Sequence, residues 1–189
     1  MHKPKRSSIQ KQYKFDEKNN MYLIEVSLDD YDDVYDEWDP APFKKRFIQE
    51  EFDDFIIESA DDIPAKYKLG IVLYIPMQKK DIEKEKAVVA AYRNYYSYVV
   101  EKAEVKQFKL RKKSIKYLML ALLFLGTGYF LQSAYENVIL NVLEEGVFIG
   151  GWVFLWEFFT DIFMTRRELK LKYNLKKRLY ETEIRFQYL

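Results

Sequence analysis

Acidic side chains are the residues of this chain whose types and spacing could do chemistry. Seven of the eleven positions from 29 to 39 are acidic: Asp29, Asp30, Asp32, Asp33, Asp36, Glu37 and Asp39. Hard cations such as Ca²⁺ and Mg²⁺ take oxygen ligands of this kind. The segment lacks the glycine spacing and the bidentate glutamate of an EF-hand loop, so we predict no defined metal site. Its first five aspartates remain candidates for docking a cation or a basic partner.

An electrostatic role for this acidic loop is the stronger alternative. Residues 25–62 hold 15 acids against three bases, which are Lys44, Lys45 and Arg46. A surface of this charge is attracted to basic segments and repelled by an anionic leaflet. We therefore expect it to dock on the lysine-rich residues 102–116 or 170–178, in the same chain or in a neighbouring one.

A second acidic pair, Glu157 and Asp161, lies within an apolar segment. The spacing of four places both on one helical face, together with Gly146, Gly150 and Val153. One interpretation is that this polar stripe packs a helical hairpin or an oligomer. The other is that the two carboxylates line a water-filled path between subunits, where they would favour cations. Two helices per chain cannot enclose a pore, so the second interpretation requires a homo-oligomer.

Glycines are the candidate helix-packing residues of the second half of the chain. Gly126 and Gly128 lie in one apolar segment, and Gly146 and Gly150 lie in the next. Small residues at this spacing let two membrane helices approach closely. We predict that these four glycines lie at a helix–helix contact.

Several classes of chemistry are excluded by composition. The chain has no cysteine and one histidine, His2, so thiol catalysis, disulfides and a Ser-His-Asp site within one chain are excluded. No paired acid/base spacing stands out, and we predict a protein that is not an enzyme and needs no cofactor. The net charge is +1, which gives no indication of a nucleic-acid partner.

Two apolar segments are candidates for crossing a membrane. Residues 117–135 carry no charge over 19 positions and would extend about 28 Å as a helix, close to the thickness of a hydrocarbon layer. The alternative is the buried helix of a soluble domain. Residues 146–164 form the second candidate span, although Glu157 and Asp161 weaken it. The alternative there is a helix lying at the membrane interface.

Flanking charges favour two crossings. Seven bases lie in residues 102–116 and seven more in residues 166–178, whereas residues 132–145 contain none. Cytoplasmic flanks carry the excess of Lys and Arg. We therefore predict a multi-pass protein of the plasma (inner) membrane with both termini in the cytoplasm and a short external turn at 136–145.

Prolines, which interrupt regular secondary structure, separate the remaining segments into two parts. All five prolines lie at or before Pro76. Residues 20–78 read as a small α/β domain with strands at 22–28 and 69–75 and a helix at 44–58. A C-terminal strand at 184–188 could join its sheet. We also predict a basic disordered tail at 1–19, without a signal peptide, and cytoplasmic helices at 79–116 and 165–183.

The predicted fold class is therefore a membrane protein of α+β type. It comprises a two-helix transmembrane hairpin with long cytoplasmic helical extensions and a small cytoplasmic α/β domain.

Three segments carry a resemblance to known proteins. They are the run Gly150-Gly151-Trp152-Val153-Phe154-Leu155-Trp156-Glu157 followed by Arg166-Arg167-Glu168-Leu169, the turn Asp39-Pro40-Ala41-Pro42-Phe43 and the strand end Leu73-Tyr74-Ile75-Pro76. Together they resemble an uncharacterised group of small bacterial two-span proteins. More distantly, the chain is similar to two-span membrane effectors of bacterial antiphage systems. The resemblance implies the architecture and no activity.

Two functions remain open. The first is a homo-oligomeric membrane module that couples a cytoplasmic domain to the hairpin, with a cation-conducting or membrane-disrupting effector as its stronger form. The second is a scaffold or accessory subunit that anchors a soluble protein or ligand at the bilayer without conduction.

Overall fold

The computed structural model of the chain describes residues 11–36, 38–39, 47–132 and 138–189. It is mostly helical, with one small sheet and two long apolar helices. The chain divides into two compact units. The first contains residues up to 101 together with 173–189, and the second contains residues 102–172.

A four-stranded mixed sheet forms the centre of the first unit. Its strands are β1 (Lys14–Asp16), β2 (Met21–Ser27), β3 (Lys68–Ile75) and β4 (Glu183–Tyr188), in the order β1-β2-β3-β4. β1 runs antiparallel to β2, whereas β2, β3 and β4 are parallel. The apolar run of β3 lies at an inner position, where side chains on both faces are removed from water.

Helical segments make up most of the remaining described chain. They are α1 (Glu50–Asp62), α2 (Ile82–Gln132), α3 (Val138–Thr160), a π-helical turn (Asp161–Thr165) and α4 (Arg166–Tyr180). Two helical stretches, Ile82–Leu131 and Asn141–Tyr180, are long and apolar enough to cross a membrane. Pro64 fixes the end of α1, because a residue that precedes proline is disfavoured in helical conformation.

One face of the sheet carries the main core. Ile24 of β2 and Ile71 of β3 are fully buried there with Ile56 of α1 and Tyr92 of α2. Leu179 of α4 joins the same cluster. Residues at every second position of the strands share a face, which explains why the alternating pattern of β2 predicts this side.

Polar contacts fix the helices of the first unit. Asp53 of α1 accepts hydrogen bonds from the hydroxyls of Tyr95 (2.7 Å) and Tyr96 (2.5 Å) on α2. Burial is the main cause that raises the pKa of both hydroxyls, which therefore remain donors. Arg178 of α4 donates to carbonyl oxygens at the C-terminal end of α1 and beyond it, at distances of 2.7–3.2 Å: those of Ala60, Ile63, Pro64 and Tyr67.

The structure differs from the predicted segments at three places. Residues 14–16 of the tail at 1–19 form β1, because Phe15 packs against Tyr22 and Tyr67; residues 1–10 lie outside the described residues. The helix predicted at 44–58 begins at Glu50, and its positions 44–46 are not described. The turn predicted at 136–145 is helical from Val138, because Glu144 and Glu145 continue α3 instead of interrupting it.

Candidate functional site

The helical hairpin of the second unit is built around small residues on α2. Ser114, Ala121 and Gly128 lie seven positions apart, and all three are buried. A repeat of seven corresponds to 3.5 residues per turn, the spacing that keeps one seam facing a partner helix in a left-handed supercoil. The small side chains leave room on α2 for bulky residues of α3.

Glycines at the seam meet large side chains. A Cβ added at Gly128 would lie 3.1 Å from the ring of Phe148, and one added at Gly150 would lie 3.0 Å from that of Phe124. At Gly151 it would lie 2.7 Å from the side chain of Leu125 and 3.1 Å from its backbone nitrogen. These three glycines therefore lie where α2 and α3 pack together with little room for a side chain.

Two of the four candidate packing glycines lie away from the contact between α2 and α3. Outside the neighbouring helix backbone, a Cβ at Gly126 or at Gly146 would have no heavy atom of the described residues within 4 Å. The structure therefore places Gly128 and Gly150 in the seam and Gly126 and Gly146 outside it. Gly151, which the spacing argument left out, lies in it.

Asp161 lies inside the hairpin seam. Its side chain is 4% exposed, with Lys113 Nζ 3.4 Å from Oδ1 and Ser114 Oγ 3.4 Å from Oδ2. Ser114 also donates to the carbonyl of Leu110 at 2.9 Å. The small Ser114 leaves space for the carboxylate, and the π-helical turn begins at Asp161 itself. Turns of this kind inside α-helices are frequent at functional sites.

Glu157 lies on the outside of the hairpin. It is exposed, and it has no hydrogen-bond or ion-pair partner among the residues that the structure describes. Charged side chains are unfavourable inside a membrane, so this exposed carboxylate bears on whether α3 could cross one.

The predicted polar stripe is thus divided between two surfaces. Gly151, Phe154 and Asp161 of α3 lie at the contact with α2, whereas Glu157 is exposed. Residues four apart differ by about 40° around a helix, so Glu157 can lie at the edge of a contact that buries Asp161. The heptad spacing of Ser114, Ala121 and Gly128 is the sequence signal that could have located this seam.

The carboxylates of the acidic loop mainly hold the loop itself. Asp30 and Asp33 form a reciprocal capping box around the 3₁₀ helix Tyr31–Val34, and Asp33 accepts from the backbone nitrogens of Asp29 and Asp30 at 2.8 Å. Asp36 accepts from the backbone nitrogen of Trp38 at 2.9 Å. Asp29 and Asp32 remain exposed. Within the described part of the chain, no group of three or more acidic or histidine side chains could hold a metal ion.

Asp30 also binds the chain just before α2 and its first turn. Its Oδ2 lies 2.9 Å from Lys79 Nζ, and Oδ1 lies 3.8 Å from Lys84 Nζ. The hydrogen bond from Lys79 is the main cause that lowers the pKa of Asp30. The observed basic partners of this loop are therefore Lys79 and Lys84, which precede the lysine-rich segment that the sequence suggested.

Comparison with known proteins found no matching family model, no matching curated protein and no matching solved structure. The resemblance to small bacterial two-span proteins therefore stays a prediction.

Proposed function

We propose that this chain is a two-pass membrane protein, without enzymatic activity, that anchors its α/β unit on the cytoplasmic side of the inner membrane. One observation carries the proposal. Only 17% of the most apolar 18-residue window of the first long helix is buried, and only 11% of that of the second. The core helix of a soluble domain would have most of this window buried.

The outward side chains of the hairpin are large and apolar. Leu123, Phe130, Trp152 and Trp156 are exposed by 62% to 79%. Soluble monomers rarely leave contiguous apolar surface of this extent in water. Hydrocarbon would remove this surface from water.

The charge distribution supports both crossings. Seven bases precede the first uncharged stretch and seven follow the second apolar helix. Under the positive-inside rule both clusters stay in the cytoplasm. The α/β unit, which contains both chain ends, would then be the part that a soluble protein or ligand reaches.

Membrane fractionation tests this function. The wild-type protein should stay in the pellet after an alkaline carbonate wash and leave it only with detergent. Leu122→Arg, in the middle of the first stretch, should reduce the pelleted amount several-fold, because it places a charge in the hydrocarbon. Lys112→Arg is the matched control and should behave as wild type. Release of wild-type protein by carbonate alone would refute the anchor.

Conduction of cations is a second candidate function, and the exposed Glu157 is the observation in its favour. The position of Asp161 counts against it, because that carboxylate lies in the seam beside Lys113 and cannot extend a row of acids. In reconstituted bilayers, conduction along Glu157 predicts that Glu157→Gln changes the current and that Asp161→Asn changes it less. The absence of any current from an oligomer would end this candidate.

A further inference from the structure

Two unpartnered charges of opposite sign lie in the same slice of the hairpin. Ser114 of α2 lies beside Asp161 of α3, and the ring of Tyr117 lies 6.0 Å from that of Phe154. Along α2, Lys116 lies between Ser114 and Tyr117. Along α3, Glu157 lies between Phe154 and Asp161. In an antiparallel pair of helices, Lys116 and Glu157 are therefore at closely similar depth.

The two charges do not meet within one chain. Lys116 follows Ser114 by two positions, which turns it about 200° around the helix, away from the seam that Ser114 faces. It is exposed, and among the described residues it has neither an ion pair nor a hydrogen bond. Glu157 is exposed beside the seam and is equally without a partner there.

We propose that a second copy of this chain covers the Glu157 face, with Glu157 of one copy paired to Lys116 of the next. The inference rests on the proposed membrane anchor: Glu157 lies within the second apolar stretch, level with Lys116 just before the first, and ionisable residues of membrane helices usually face a partner. Charge complementarity selects a second copy as the occupant. One chain presents both an acid and a base at closely similar depth on different faces, as a self-complementary assembly requires.

The surface around Glu157 allows a close approach. Val153 lies one turn away on the same face and is 55% exposed, and further along, none of the side chains that the structure describes comes within 4 Å of a Cβ added at Gly146. This open notch is free for a neighbouring helix, because the hairpin seam uses Gly150 and Gly151 instead. The charge pair would fix the register of that contact.

Cysteine cross-linking tests the pair directly, since the natural chain has no cysteine. Val153→Cys, one turn from Glu157, and Met119→Cys, an exposed position three residues after Lys116, should give a cross-linked dimer when two tagged copies that carry one cysteine each are expressed together in intact membranes. Phe159→Cys is the matched control, because it is exposed by 42% but lies two positions from Glu157 and so on the opposite side of α3. It should cross-link much less.

Charge reversal then identifies the partner. With Val153→Cys on one copy and Met119→Cys on the other, Glu157→Lys or Lys116→Glu alone in both copies should lower the dimer yield about tenfold, equivalent to about 1.4 kcal/mol. The double reversal should restore the yield to within about twofold of the parent. Failure of the double variant to recover, or a yield unaffected by either reversal, would overturn the pair.

Membrane retention separates this inference from the anchor. Each variant is also washed with carbonate, and a protein that stays in the pellet without cross-linking refutes only the pair. A wild-type chain that leaves the pellet refutes the anchor as well.

Where a charge reversal prevents insertion, Glu157→Gln and Lys116→Gln replace it. Each of these variants should lower the dimer yield several-fold, and an unchanged yield in either would overturn the pair. If the dimer yield falls on substitution of Lys116 but not of Glu157, the partner of the lysine is lipid phosphate, and this result also contradicts the proposal.

Discussion

Phe148 lies directly against Gly128, so close that a Cβ on that glycine would be 3.1 Å from the ring. The same relationship holds along the hairpin, where Ser114, Ala121 and Gly128 on α2 give space to the bulkier residues of α3. Close packing of this kind depends on small residues, because they let two helix backbones approach within van der Waals contact. Substitutions of glycine by alanine should therefore lower the stability of the hairpin inside the seam and raise it outside the seam.

Gly151→Ala should destabilise the hairpin by about 1–3 kcal/mol, because the added methyl group meets Leu125, including its backbone nitrogen, which cannot move aside. Gly146→Ala is the matched control on the same helix. With nothing within 4 Å of its Cβ, it should instead gain up to about 1 kcal/mol from helix propensity. The midpoint of unfolding in a denaturing-detergent titration measures both. Equal shifts of one sign would contradict the seam.

Asp161 and Lys113 should be energetically coupled. Asp161→Asn, Lys113→Gln and the double variant form a cycle, and we expect a coupling of about 0.5–1 kcal/mol because Lys113 is half exposed. The same unfolding titration supplies the values. A cycle built on Lys112, which lies over the ring of Phe108, should show almost no coupling to Asp161. Strictly additive losses for Asp161 and Lys113 would show that the pair is incidental.

Arg178→Lys should destabilise the α/β unit by about 2–3 kcal/mol. An ammonium group cannot reproduce the planar fork that donates to carbonyls at the end of α1, so several of these buried acceptors lose their partner. Arg167→Lys, an exposed position on the same helix, should change the stability by less than about 0.5 kcal/mol. Thermal unfolding followed by circular dichroism compares the two. A stable Arg178→Lys protein would show that these bonds contribute little.

Asp16 should make the α/β unit less stable in acid. Hydrogen bonds from Asn19 and Arg185 lower the pKa of Asp16 to about 2. A carboxyl group whose pKa is depressed by folding stabilises the native state above its unfolded value of about 3.9, and the contribution disappears as the pH falls towards 2. Wild type should therefore unfold at a higher temperature than Asp16→Asn at pH 7, and the gap should close between pH 4 and 2. A gap that persists at pH 2 would contradict the assignment, and exposed Asp32→Asn is the control.

The sequence located the apolar helices and the sheet because their signals are local. The alternation in Tyr22, Ile24 and Val26 needs only the pleat of a strand, and the uncharged run at 117–135 needs only its length. By contrast, the edge strand at 14–16 depends on Phe15 meeting Tyr67, which is distant in sequence. A strand of three residues is too short to show an alternating pattern in the sequence, so this contact could not be predicted.

The candidate site was only partly predictable for a related reason. The spacing of Glu157 and Asp161 predicts one helical face, but residues four apart differ by about 40° around the axis, enough for one to be buried and the other exposed. For the acidic loop, composition shows the number of carboxylates but not that Asp30 and Asp33 cap their own helix.

Labelling of single cysteines with a membrane-impermeant thiol reagent tests the central claim most directly. Cysteines are introduced in turn at Lys3, at Glu145 and at Leu189 of the otherwise cysteine-free chain. Two crossings with both ends inside predict that Glu145→Cys reacts when the outer face of the inner membrane is accessible, and that the two terminal cysteines react only after the membrane is disrupted. Labelling of one terminus, but not the other, from the outer face would contradict the account.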